Sequence, residues 1–315
     1  MLIKKKIGCV YHRTDLDGKC SGAIVRIFEE HAGNTVEFIG LDHADIDEKF
    51  DIETLVLFDK LYMVDFSLPP AMMLQLREIY GPVGFIWCDH HISALRNADE
   101  HNYADISGVR TSEFAGCELT WRWFNPLGIR TSIPLPTAVH LLGRYDVWDH
   151  SADGRIMPFQ YGMRQANYGP DCSVWDGILP RPNSGEIGAS VPEMFSNILH
   201  DGAVIYDYLQ EQWKRQTKAL AREIVWAGHR FVAANIPLGN SAILEPVYPV
   251  PATLFLLYYQ HKSGAWKVSM YTKDKDVDLS VIAVTYGGSG HAGACGFNCA
   301  ELPDELRIAL SSPGS

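Results

Sequence analysis

The sequence has no apolar run approaching the roughly 18 residues a membrane span needs, no internal repeat and no low-complexity segment. It is also short of positive charge: 27 Lys and Arg stand against 38 Asp and Glu, a net charge of −11. Such a surface repels long nucleic acid, whose binding is dominated by phosphate neutralisation. Part of the acidity can be local, because two divalent ions on the carboxylates considered below would return about four positive charges. A small phosphorylated substrate therefore fits better than a long duplex. Paired cysteine spacing is missing too. The seven Cys are an odd number, and Cys295 and Cys299 do not form a C-x-x-C zinc knuckle, so free thiols in a reducing compartment are expected. Met1-Leu2-Ile3-Lys4-Lys5-Lys6 is basic and then apolar, but Gly8 to Tyr11 runs straight into His12 and charged residues. That is a strand rather than a secretory signal, and the expected location is the cytoplasm.

What is present is ordinary globular composition, 47% apolar and 21% charged over 315 residues, enough for one large domain or two modest ones. Ile7-Gly8-Cys9-Val10-Tyr11 is apolar without alternation, as in a strand buried on both faces. Gly18 to His31 carries Ala23, Ile24, Ile27 and Phe28 at helical spacing. Thr35 to Leu41, Leu61 to Val64 and Val83 to Cys88 read as further strands. Pro69-Pro70 opens a helix over Ala71 to Tyr80, where proline is tolerated in the first turn. This repetition predicts a parallel sheet with helices on both faces. Asp105 to Arg110 reads as a loop, Ser112 as the cap of a helix to Phe124 with Glu113 in its first turn, and Thr137 as the start of a helix to Asp146. Tyr168 to Pro192 reads as irregular. Ile198 to Val225 is the longest helical stretch and looks like a connector. Short strands return after Gly228: Phe231 to Ala234, Ala252 to Tyr259 (strand or helix) and Trp266 to Tyr271.

The informative feature is what ends each predicted strand. Ile7–Tyr11 runs into His12, Asp15 and Asp17; Leu61–Val64 into Asp65; Val83–Cys88 into Asp89-His90-His91. Ligands of open α/β sheets bind beyond the carboxyl ends of the strands, so these distant residues should converge in one crevice. Several carboxylates cannot stay ionised together there without protonation or bound cations. Imidazole with carboxylate, and no thiolate except Cys88 on the opposite strand face, favours manganese or magnesium over structural zinc. Each piece alone has an ordinary reading: Asp17-Gly18 as a turn, Asp65 as a helix cap, His90-His91 as surface. Their coincidence at three strand ends argues for a site. A second feature is Gly287-Gly288-Ser289-Gly290-His291-Ala292-Gly293-Ala294-Cys295-Gly296, five glycines around one histidine. It suits an anion-cradling loop. It has neither the Gly-Lys-Ser/Thr of a Walker loop nor the place of a dinucleotide fingerprint.

Together these segments resemble the DHH phosphoesterase superfamily, in the branch with the DHH-associated C-terminal domain and nearest to nanoRNases and oligoribonuclease-like enzymes. His12-Arg13-Thr14-Asp15-Leu16-Asp17-Gly18 resembles the first motif, Val64-Asp65 the second and Asp89-His90-His91 the third. Gly143-Arg144-Tyr145-Asp146-Val147-Trp148-Asp149 resembles the fourth. Gly287–Gly296 resembles the glycine–histidine motif of the associated domain, with Ser289 in place of a glycine. Residues Ser151 to Ile224 match no motif. The resemblance implies an α/β fold with a parallel, doubly wound N-terminal sheet, a linker helix and a smaller α/β C-terminal domain, the active site lying in the interdomain cleft. The implied divisions are a catalytic domain over 1–197, a linker helix over 198–227 and a substrate-binding domain over 228–315. It also implies two divalent ions, manganese first, with magnesium or cobalt as alternatives. His12, Asp15 and Asp65 would hold one ion; Asp17, Asp65, His90 and Asp146 the other, with Asp65 bridging. Asp149 stands as the alternative to Asp146. Asp89 would orient a neighbouring ligand and His91 would lie beside the scissile phosphate as donor or acid. Gly288, Gly290 and His291 would bind a substrate phosphate, and Arg110, Arg144 and Arg164 are further candidate contacts.

The implied reaction is phosphodiester hydrolysis of short oligonucleotides or linear dinucleotides to nucleoside monophosphates. Expected partners are a short RNA or DNA oligonucleotide or a dinucleotide, and no membrane; a homodimer stays open. A cyclic dinucleotide, phosphoadenosine phosphate or polyphosphate is the alternative substrate. A nucleotide-binding module without catalysis is the alternative class, disfavoured by the complete ligand set.

Overall fold

The structure, a computed structural model, describes residues 4–46, 51–125, 135–182, 192–237, 239–248 and 253–311. The chain divides into two compact units, Met1–Tyr206 and Asp207–Ser315. In the first, the strands are β1 (Lys6–His12), β2 (Thr35–Leu41), β3 (Lys60–Val64) and β4 (Phe85–Cys88). The helices are α1 (Leu16–His31), α2 (Pro70–Gly84), α3 (Ile92–Glu100), α4 (Gly116–Phe124), α5 (Thr137–Asp146), α6 (Ile156–Met163) and α7 (Val174–Ile178), then α8 (Pro192–Leu220), which contains the boundary between the units.

The sheet runs β2-β1-β3-β4 with every pair parallel. Both faces are dry. Ile7, Cys9, Tyr62, Val64, Ile86 and Cys88 pack under Val25 of α1 and Leu119 of α4. Val10, Leu61, Met63, Phe85 and Trp87 pack under Met73 and Leu76 of α2 and Ala94 and Ala98 of α3. That two-sided burial is why the strands read as unbroken apolar runs. Parallel pairing also sends every carboxyl end to one edge, so His12, Asp65 and Asp89 emerge side by side.

Local details depart from the sequence reading in three places. Val83 and Gly84 belong to α2, not β4: the helix kinks at Gly81 (φ 65°) and resumes with Pro82, and Val83 is exposed. Ser112 caps nothing helical. Helix α4 starts at Gly116, whose amide and that of Cys117 each donate to the Asp17 carboxylate at 2.7 Å. A long-range carboxylate thus takes the place of a local hydroxyl. The stretch 168–192, read as irregular, includes α7, anchored by the fully buried Trp175.

The connector helix expected over 198–227 ends at Leu220. Residues Arg222–Trp226 form β5, antiparallel to β6 (His229–Asn235). Glu223 and Val225 are exposed while Ile224 and Trp226 are buried, the period of two that marks a strand. Ala227 and Gly228 turn the hairpin with positive φ. The second unit continues with β7 (Leu254–Gln260), β8 (Trp266–Tyr271), α9 (Ser280–Thr285), β9 (Ser289–His291), β10 (Ala294–Cys299) and α10 (Asp304–Ser311). Its six-stranded sheet is ordered β5-β6-β7-β8-β10-β9, with β6 and β7 the parallel pair. Among the described residues no helix is long and apolar enough to cross a membrane.

Arg110, a candidate substrate contact in the sequence, is engaged by main-chain carbonyls. Its Nη1 donates to the Trp87 carbonyl (2.9 Å) and its Nη2 to the carbonyls of Ala104 (2.9 Å) and Ile106 (2.7 Å). The guanidinium lies 4.9 Å from the centre of the Trp87 ring. Three of its five N–H donors clamp the loop that extends the sheet beside β4. Arg110→Ala should cost about 1.5–3 kcal/mol of stability by orphaning these carbonyls, measured by chemical denaturation. A variant of wild-type stability with weakened substrate binding would favour the substrate contact over the structural one.

Candidate metal centre

The parallel edge assembles the site from four segments. His12 is the last residue of β1. Asp15 caps α1, accepting from the Gly18 amide at 2.9 Å. Asp17 lies in the first turn of α1 and is 3% exposed. Asp65 follows β3 with φ 54°, a region sparsely populated by residues other than glycine. It is 1% exposed, and its amide donates to the Cys88 carbonyl at 2.9 Å. Gly116 abuts it from α4: a Cβ there would lie 2.6 Å from the Asp65 Cβ, so only glycine lets the helix approach this closely. Asp146 closes α5.

The donor atoms fall into overlapping groups, each within 4.8 Å: His12, Asp15 and Asp65; Asp17, His90 and Asp146; and Asp65, His90 and His91. His12 Nδ1 lies 2.5 Å from Asp15 Oδ2 and 3.8 Å from Asp65 Oδ2. Its Nε2 hydrogen-bonds the Thr14 hydroxyl at 2.7 Å, which fixes the ring and leaves Nδ1 facing the carboxylates. His90 Nε2 lies 3.2 Å from Asp65 Oδ1, 3.3 Å from Asp146 Oδ2 and 3.8 Å from Asp17 Oδ2. Asp65 therefore stands between the His12 and His90 groups.

Some of these charges are compensated by the protein itself. Burial pushes Asp15 up, but His12 and the Gly18 amide hold its carboxyl below the usual carboxylate range. Asp89, fully buried, is pushed up by burial and pulled lower still by the His91 ring and the neighbouring amides. Its Oδ1 accepts from the amides of His90 (2.7 Å) and His91 (3.2 Å) and from His91 Nδ1 (2.7 Å). Burial would lower the His91 imidazole; Asp89 more than reverses this and lifts it to about 9, so His91 is a donor at neutral pH. At Asp65 and Asp146 the neighbouring imidazoles compensate too little. Burial and then the Asp17 and Asp15 charges push both carboxyls well above their ordinary range. Burial also lowers His90, outweighing the pull of Asp17, which leaves its imidazole neutral and able to donate its lone pair.

Other candidates lie elsewhere. Asp149 is 47% exposed and pairs with Arg144 (3.8 Å), away from the three groups. Arg144 itself is held by the buried Glu118 at 2.5 Å. Arg164 borders a cavity beside Thr14 and Asp15. In the second unit, Gly290 (φ 134°) lies in β9, and a Cβ there would meet Cys295 of β10 at 2.5 Å. A Cβ at Gly288 would meet the Gly296 carbonyl. The glycines therefore also serve close hairpin pairing. The His291 side chain falls outside the described residues. His43 escaped the sequence reading. It follows β2 at the same sheet edge, stacks on Phe66 at 4.8 Å and lies 6.2 Å from the His91 ring. The strand-end rule applied to β2 would have found it.

No protein-family model matches the sequence, and no curated protein does. Solved structures do match in fold. The DHH domain of a member of the s1p family of ribosomal proteins superposes with a TM-score of 0.62 at 13% identity, covering 98% of this chain and 86% of that one. The chain has the DHH-domain fold. A pGpG-specific phosphodiesterase from Vibrio cholerae matches at TM-score 0.55 and 13% identity, over 97% of this chain and 96% of its own. An exopolyphosphatase-related protein from Bacteroides fragilis matches at 0.51 and 13%, over 98% and 92%.

On this DHH fold the donor set suits divalent cations. Asp65 Oδ1 is buried without a hydrogen bond, an arrangement a bound cation would relieve. The sign of the pH effect follows. A carboxyl raised in the folded state costs stability above its folded pKa and is relieved as pH falls through it. His91 acts in the same direction: its contribution is complete below the ordinary histidine range and lost as pH rises through about 9. Metal-stripped protein should therefore become more stable as pH falls from about 9 towards neutrality, above the range in which His90, lowered by burial, would act in the opposite direction. Asp65→Asn should raise the metal-free Tm and abolish the rise in Tm caused by manganese. A variant that kept the full metal-induced shift would remove Asp65 from the site.

Proposed function

We propose that the protein is a two-metal phosphodiesterase that cleaves short oligonucleotides or linear dinucleotides to nucleoside monophosphates. The observation that carries this reading is the position of Asp65 between two histidine–carboxylate groups, with one oxygen left without a hydrogen bond. His12, Asp15 and Asp65 would hold one ion, and Asp17, Asp65, His90 and Asp146 the other. Two divalent ions bound there would lower the pKa of the attacking water and neutralise charge on the phosphoryl and leaving oxygens. His91, protonated and held by Asp89, is placed to hydrogen-bond a phosphoryl oxygen or protonate the leaving group. Asp89 positions it through both amides and the ring. The loop 287–296, with Gly288, Gly290 and His291, would take a substrate phosphate through main-chain N–H groups and the imidazole.

The shared fold supports the reading, since proteins with it include the pGpG-specific phosphodiesterase. The acidic balance of the chain favours a short substrate, because few phosphates need to be neutralised. Manganese is the expected ion, with magnesium or cobalt as substitutes, and the cytoplasm is the expected location.

The test is a substrate panel with manganese: RNAs of about two to five nucleotides, cyclic dinucleotides, phosphoadenosine phosphate and polyphosphate, with products resolved by chromatography. Nucleoside monophosphates from the short RNAs, lost after chelation and restored by manganese, are expected. Turnover that survives thorough chelation would end the two-metal mechanism. Release of phosphate from polyphosphate alone would move the protein to the alternative substrate class.

A further inference from the structure

Beside the metal centre lies a cavity of about 450 Å³, within the range of small-ligand pockets. Thr14, Asp15 and Lys19 form one wall; Arg164 and Asn167, just beyond α6, form the other. The cavity adjoins two of the four segments that build the centre. Asp15 belongs to the His12 group. Lys19 is four residues further along α1, on the same helix face. Arg164 lies 5.2 Å from the centre of the Tyr145 ring, next to Asp146 in sequence. The oxygen of Gln160, in the amide orientation that satisfies its neighbours, accepts from Arg164 Nη2 (2.9 Å) and Nε (3.2 Å). The guanidinium is therefore fixed from α6 and α5 rather than left to wander.

The charge balance of the cavity is the unusual feature. Lys19 and Arg164 line the same cavity, and Lys19, partly desolvated, is attracted by Asp15 and, more weakly, repelled by Arg164. Asp15 is the one acid among the lining residues described, and His12 and the Gly18 amide already occupy it. Lys19 Nζ donates to Asn167 Oδ1 at 2.8 Å, a neutral partner, with two of its three donors to spare. In a chain of net charge −11, two facing cations without a dedicated carboxylate mark a place for an anion from outside.

We propose that this cavity binds a terminal phosphate monoester of the substrate, next to the scissile diester, with Lys19 and Arg164 as its charged contacts. The identity of the group rests on the phosphodiesterase reading; anion binding in the cavity does not require turnover. A terminal phosphate at either end of a dinucleotide offers the same chemistry, so both ends are tested.

The experiment compares pApA, ApAp and ApA with manganese, in the wild type, Lys19→Gln, Arg164→Gln and the double variant, each checked for an unchanged melting transition. Charge-assisted hydrogen bonds predict that one phosphorylated dinucleotide exceeds ApA in kcat/KM by about tenfold or more. That advantage should shrink in each single variant and fall to about twofold or less in the double variant. Equal use of all three by the wild type, or an advantage that survives the double variant, would overturn the proposal. Calorimetric titration of the same three compounds with calcium in place of manganese separates the two readings. If nothing is hydrolysed but the phosphorylated compound still binds more tightly, and Lys19→Gln with Arg164→Gln removes the difference, the phosphodiesterase reading fails and the anion site stands. Equal binding of all three overturns the site whatever the turnover.

Discussion

Mutual repulsion among buried carboxylates is the constraint around which the N-terminal unit is organised. Asp15, Asp17, Asp65, Asp89 and Asp146 converge at one sheet edge, and three of them are 3% exposed or less. Unpaired, such a cluster would protonate or unfold its surroundings. The protein answers with its own donors at three positions. Asp15 takes His12 and the Gly18 amide, Asp17 the amides of Gly116 and Cys117, and Asp89 two amides and the His91 ring. Two of these sets are helix N-termini, where the aligned peptide dipoles favour negative charge. Asp65 and Asp146 are left over, and His90 contacts both from 3.2 and 3.3 Å. This pair is where protonation or a bound cation would relieve the repulsion.

Asp17 ties this electrostatics to the architecture. The carboxylate that faces His90 also caps α4, a helix about a hundred residues further along the chain. The Gly116 that opens α4 is also the residue that lets the helix touch Asp65. Packing of α4 on α1 and the arrangement of the carboxylates are thus one contact seen from two sides. A shift of α4 would move Asp17 and Asp65 together.

How much of this could be read in advance divides by distance along the chain. The strand ends His12, Asp65 and Asp89-His90-His91 were legible because each lies directly after an apolar run, and parallel pairing does the rest. The cap of α4 was not. Ser112 has the right chemistry at a plausible spacing, and nothing local reveals that Asp17 supplies the acceptor. The same holds for Arg110: the three carbonyls that claim three of its donors are brought there by the fold and do not show in the sequence around it. Conversely, Val83 and Gly84 read as strand because they continue into the apolar run ending at Cys88, whereas the helix kinks at Gly81 and restarts at Pro82. His43, two residues beyond the end of β2, is legible by the same rule, since Asp15 and Asp17 stand further still beyond β1.

The backbone at Asp65 shows which side of the balance between stability and function the site favours. A non-glycine residue held at φ 54° costs of the order of 1–3 kcal/mol, and burial of its carboxylate among four others adds to that cost. The amide of Asp65 bonding to Cys88, and Gly116 against its Cβ, leave no relaxed alternative nearby. An asparagine or glycine in this turn would suit the metal-free fold better. Retention of an aspartate makes sense if the group it faces is a cation, because a ligand that binds only the folded state adds RT ln(1 + [L]/Kd) to its stability. On that account the strain and the repulsion are not defects of packing. They would be the preorganised half of an interaction whose other half is a bound cation.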